Sequence, residues 1–109
     1  MLMQALHHML AFALMSKPAD QILTAKTALR IQWGAKQAND DLVWVIYARP
    51  QAQASGQYIA VPCIDAGMTP MAMRLEASTL EELRTLLPPG LTRIERLQDD
   101  DPALIESWN

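Results

Sequence analysis

Leu42-Val43-Trp44-Val45-Ile46-Tyr47 is apolar at every position, and Tyr58-Ile59-Ala60-Val61-Pro62-Cys63-Ile64 is apolar throughout most of its length. A strand with one wet face alternates apolar with polar residues, whereas an unbroken apolar run has both faces covered. These runs predict two central strands, Val43 to Ala48 and Gln57 to Ile64, paired antiparallel across a polar hairpin loop from Pro50 to Gly56. Pro62 lacks an N–H, so its end of the second strand is expected at an edge or a bulge. Asp65 to Pro70 reads as a turn-rich loop and Met71 to Leu75 as a short third strand. Ser78-Thr79-Leu80-Glu81-Glu82-Leu83 then opens a helix, since either hydroxyl can cap it with a glutamate three residues on. Leu80, Leu83, Leu86 and Leu87 share one face of that helix, and Pro88-Pro89-Gly90 stops it. Leu91 to Leu97 and Ala103 to Trp108 read as two further strands, joined by a turn at Gln98 to Pro102.

The N-terminal third has a different rhythm. Met1 to Met15 has no helix breaker and only Gln4, His7 and His8 as polar residues, which predicts a helix apolar nearly all round, buried between layers or between subunits. Ser16 can cap a second helix, with Pro18 in its first turn and Asp20 near its positive end. Ile22, Ala25, Leu29 and Trp33 fall on one helical face and favour continuation to about Lys36. Leu29 to Trp33 also alternates as a half-buried strand does, so both readings of that stretch stand, helix preferred. The expected fold class is α+β: N-terminal helices over 1–37, then over 42–109 an antiparallel strand meander, one capped helix and two C-terminal strands in one sheet. The helix after Ser78 is expected on one sheet face, with the N-terminal helices either on the other face or paired with those of a second subunit.

The chain of 109 residues fits a single domain, and half of it is apolar. The net charge is −3, and the segment from Leu91 holds Glu95, Asp99, Asp100, Asp101 and Glu106 against Arg93 and Arg96. No basic stripe is present to meet a phosphate backbone, so no nucleic-acid partner is expected, and a basic protein partner suits the acidic tail better. The apolar stretch Met9 to Met15 is far shorter than the ~20 residues of a membrane span. Met1 to His8 also lacks the basic start of a secretory signal. Together with a single cysteine, Cys63, this leads to the expectation of a cytoplasmic protein without a membrane partner.

Candidate chemistry is sparse. His7 and His8 near Met3, Met9 and Met15 are soft-metal donors, but adjacent histidines point to different faces and helix packing accounts for them. Cys63 lies at a strand end near Asp65 without a neighbouring base. Asp99-Asp100-Asp101 lacks the alternating ligands and central glycine of a calcium loop. Glu81 and Glu82 are accounted for by capping, and the isolated glycines form no phosphate-binding loop. The expectation is a protein without catalytic residues, metal or cofactor. Met3, Leu6, Leu10 and Met15 are candidate interface residues for a homodimer. His7, Trp44, Tyr58 and Asp65 are candidate residues of an apolar pocket between the sheet and the N-terminal helices.

Gly56-Gln57-Tyr58-Ile59-Ala60-Val61-Pro62, Asp65-Ala66-Gly67 and Ala77-Ser78-Thr79-Leu80-Glu81-Glu82-Leu83 together resemble the HicB-like antitoxin fold, over roughly Val43 to Leu87. In that family two strands, a Pro/Gly turn and a third strand lead into a capped helix. Gly67 to Thr79 is longer than the family's third-strand segment, no ribbon-helix-helix or helix-turn-helix segment follows Leu97, and the N-terminal helices have no counterpart. The resemblance implies a βββα core and a non-enzymatic role in binding a protein partner, with no functional residue carried over. The function expected is therefore a small protein-binding module of antitoxin-like, immunity or mobile-element accessory type, with a small-molecule binding protein as the alternative.

Overall fold

The computed structural model describes residues 21–48, 58–95 and 103–109. The apolar runs become β2 (Val43–Ala48) and β3 (Tyr58–Cys63), paired antiparallel from Val43 against Cys63 to Ala48 against Tyr58. Before them lie β1 (Gln21–Ile22) and helix α1 (Ala25–Gln37). After them come the single turn α2 (Ile64–Gly67), β4 (Thr69–Pro70), β5 (Met73–Ala77), helix α3 (Leu80–Leu86), β6 (Arg93–Ile94) and β7 (Leu104–Trp108). Among the described residues these strands form one mixed sheet in the order β1-β5-β3-β2-β7-β6, with β4 paired to β3 beyond the end of β5. Only β1 and β5 run parallel; the other pairings are antiparallel. The class is α+β.

The second helix starts later than the sequence predicts. Gln21 and Ile22 pair with Met73 and Arg74 as a strand, and the helix begins only after Thr24, whose hydroxyl accepts from the Thr27 N–H at 3.2 Å. Ser16 lies outside the described residues, and Gln21 and Ile22, expected within the helix it would cap, are strand. Leu29 to Trp33 is helical, because Ala28, Ile31 and Ala35 bury a 3.6-residue stripe against the sheet. The helix closes at Asn39, in the left-handed region with φ of 58°. The Asn39 and Asp40 N–H groups donate back to the Lys36 and Ala35 carbonyls at 3.2 and 2.8 Å, which is a Schellman closure.

Pro62 is inside the sheet and fully buried. Its carbonyl accepts from the Met71 N–H at 2.9 Å, on the side where the neighbour of β3 changes from β5 to β4. The missing N–H thus falls at a ladder irregularity. The third strand runs two residues later than expected, and the strand expected over Leu91 to Leu97 is reduced to Arg93–Ile94 within the described residues. The helix after Ser78 is capped by Thr79, whose hydroxyl accepts from the Glu82 N–H at 3.1 Å.

Alternation along β2 and β3 sorts the core into two faces. Trp44, Ile46, Ala60, Leu75 and Ala77 pack with Leu83 of α3 and Ala28 of α1. Val43, Val45, Ile59, Val61 and Cys63 form a separate cluster on the reverse face. Helices α1 and α3 therefore share one face, whereas the sequence predicts the N-terminal helices either on the other face or against those of a second subunit. Met1 to Met15 lies outside the described residues. In β7 a bulge between its pairings to Ile46 and Tyr47 turns Ile105 towards the helix side as well.

Turn α2 is unusual in that Asp65, Ala66 and Gly67 all have positive φ, at 56°, 58° and 88°. Glycine adopts this region freely, whereas an alanine there costs about 1–2 kcal/mol. The turn is held by the Ala66 N–H donating to the Asp41 carbonyl at 3.0 Å and by the Thr69 hydroxyl donating to Asp65 Oδ2 at 3.0 Å. Ala66→Gly keeps the backbone bond, relieves the strain and adds some unfolded-chain entropy. It is expected to stabilise the protein by about 0.5–1 kcal/mol, read as a raised denaturant midpoint with an unchanged slope.

Candidate functional site

A groove of about 390 Å³ lies at the C-terminal end of α1. Leu29, Gln32, Trp33 and Lys36 form its first wall, since residues three and four apart stack on one side of a helix. The Schellman closure folds the chain back so that Asp40, Asp41 and Leu42 line its end. The opposite wall is the turn after α3, Pro89 to Leu91, with Asn109 beside it. Asn109 fixes this corner: its Nδ2 donates to Asp41 Oδ1 at 2.9 Å and to the Leu42 carbonyl at 3.2 Å, and its backbone exchanges two bonds with Thr92.

Gln32 ties the groove to the core, accepting from Trp44 Nε1 at 2.7 Å. That bond satisfies the one polar atom of a tryptophan with no exposure and fixes the rotation of α1 over the sheet. Leu29 and Trp33 then point outward, 45% and 59% exposed. The groove offers apolar rim surface, one ammonium and two carboxylates. It can hold an apolar side chain beside a polar or charged group.

Of the residues expected to line a pocket, Trp44 and Tyr58 both belong to the helix-side core, at opposite ends of the β2–β3 pairing. Asp65 is exposed in turn α2, and His7 lies outside the described residues. The structure brings none of Trp44, Tyr58 and Asp65 into the groove. Met3, Leu6, Leu10 and Met15 also lie outside the described residues. The sequence reading missed the groove because it depends on a helix end meeting a distant turn. The exposed pair Leu29 and Trp33, one helical turn apart, was its only local signal.

A second polar cluster lies under α3. Glu106 is 1% exposed on the helix-side face, opposite Ile46. Arg84 grips both its oxygens, through Nε to Oε2 at 3.2 Å and through a terminal nitrogen to Oε1 at 2.5 Å. Trp108 Nε1 donates to Oε2 at 2.6 Å, and Arg93 Nε stands 4.0 Å away. Burial pushes this carboxyl up, but the bonds from Arg84 and Trp108 and the two positive charges outweigh it and hold the group below the usual carboxylate range. Glu106 is therefore a neutralised structural anchor, not part of an acidic surface tail as its sequence neighbourhood suggests. Asp99 to Asp101 lie outside the described residues.

Cys63 is buried, its Sγ 3.5 Å from the Val61 carbonyl, and burial pushes its thiol up to about 12. It stays protonated and is a poor nucleophile at neutral pH. Among the described residues no group of three or more His, Cys, Asp or Glu is placed to hold a metal ion. No helix among them is long and apolar enough to cross a membrane. Comparison of the chain with protein-family models, curated proteins and solved structures returned no match.

Proposed function

We propose that this chain is a small non-catalytic protein-binding module, of antitoxin-like, immunity or mobile-element accessory type, which holds a segment of its partner in the groove between α1 and the Pro89 to Leu91 turn. The observation that carries this reading is the outward placement of Leu29 and Trp33 on the groove rim. Large aromatic side chains flanking a concavity are the usual anchors of protein interfaces, where one tryptophan often supplies much of the binding energy. Asp40 and Asp41 at the groove end and a chain charge of −3 favour a partner segment pairing an apolar side chain with a basic one.

Trp33→Ala and Asp40→Lys test this reading in pull-downs from the source cell. Neither side chain supports the core, so both variants should melt within about 0.5 kcal/mol of the parent. Trp33→Ala is expected to weaken partner capture by on the order of 2 kcal/mol, some thirtyfold in Kd, and Asp40→Lys to weaken it more at low salt than at high salt. Equal recovery of the same proteins by parent and both variants would defeat the proposal. Light scattering across a concentration series identifies the case in which the partner is a second copy. The groove volume of about 390 Å³ also falls within the range of small-ligand sites, which favours the small-molecule reading second. In that case Trp33→Ala abolishes a thermal shift produced by a low-molecular-weight extract.

A further inference from the structure

The reverse face of the sheet is apolar and closed to water: Val43, Val45, Ile59, Val61 and Cys63 are each at most 7% exposed. Both described helices pack against the opposite face. We propose that residues 1–15 of the same chain dock on this reverse face. Met3, Leu6, Leu10 and Met15 then meet the sheet of their own chain rather than a second copy.

Composition selects the occupant. Of the stretches outside the described residues, 49–57 is polar apart from its alanines and one proline, and 96–102 carries three aspartates. Met1 to Met15 has no Asp, Glu, Lys or Arg and many bulky apolar side chains. It can be buried against an apolar face without stripping water from a charge. Reach agrees with composition. The described chain begins at Gln21 in β1, the edge strand beside β5, and the reverse-face cluster lies on β3 and β2, the next strands along. Neighbouring strands are about 4.8 Å apart, so the cluster lies within roughly 15 Å of β1. Fifteen helical residues span about 22 Å. A tether this short also holds the segment at an effective concentration in the millimolar range, far above that of a second copy in dilute solution.

Cys63, the single cysteine, sits within this face and reports on its cover. In the full chain its reaction with a disulfide reagent is expected to be slow and independent of protein concentration. Leu6→Glu with Leu10→Glu should accelerate it about a hundredfold or more by opening the cover locally, with far-ultraviolet circular dichroism retained. An unchanged rate in that folded variant would overturn the proposal, as would a wild-type rate that slows with rising protein concentration, which puts a second copy over the face. Should the double variant fail to fold, Met3→Cys, Leu6→Cys, Leu10→Cys and Met15→Cys are each oxidised with copper phenanthroline. At least one intrachain disulfide with Cys63 is expected; interchain disulfides alone, or none, would overturn it.

Discussion

Arg84→Met is expected to cost on the order of 3 kcal/mol of stability at pH 7, the larger part of it from the carboxylate left behind. Glu106 is 1% exposed, while the Arg84 side chain is 38% exposed. Water reaches the Arg84 end of the pair but hardly the Glu106 end, so the cost falls at the low end for a broken buried pair. Trp108 and Arg93 remain, and they soften the loss without replacing a two-point grip.

In the parent, Glu106 titrates below its unfolded value, so its contribution is fully present above about pH 4.3 and fades as pH falls through the folded value. In Arg84→Met the strongest partner is gone and burial pushes the carboxyl up, so protonation relieves the penalty. The stability gap between variant and parent should narrow as pH falls from 7 towards about 4. Urea titrations at several pH values check this, and a gap that widens on acidification would refute the assignment. Replacing the pair together, Arg84→Met with Glu106→Leu, should cost only about 1–2 kcal/mol, much of it from the Trp108 N–H losing its acceptor.

Trp44→Ala is the second large effect, expected at about 4 kcal/mol. Trp44 has no exposure, packs between the sheet and both helices, and leaves Gln32 without its donor when truncated. Trp33, eleven positions earlier in the same chain, should be nearly neutral. Chemical denaturation of the two variants side by side separates a core tryptophan from a rim tryptophan. Comparable losses would mean that Trp33 also supports the fold.

The central hairpin and the capped helix were legible in the sequence because their signals are local: the apolar run of β2, the run of β3 and the Thr79 cap each lie within a few residues. The start of α1 was not, since Ile22 fits the helical face of Ala25 and Leu29, and only the parallel pairing of β1 with distant Met73 makes it strand and moves the helix start to the Thr24 cap. The role of Glu106 was half-legible. Alternation along Leu104 to Trp108 places it on the same side as Trp108, but the cation that neutralises it comes from a helix twenty-two residues away. The candidate groove was least legible, because its walls come from three segments joined by the Schellman closure and the Asn109 clamp.

Strand β2 lies between β3, its neighbour in sequence, and β7, which closes the described chain. During synthesis Val43–Ala48 gains its first partner early, but its other edge stays open until Leu104–Trp108 leaves the ribosome. For that interval a wholly apolar strand presents free N–H and carbonyl groups to any passing chain, the arrangement that templates aggregation. A nascent chain stalled before Leu104 would therefore be a client for chaperones, because β7 is the strand that covers this edge of β2.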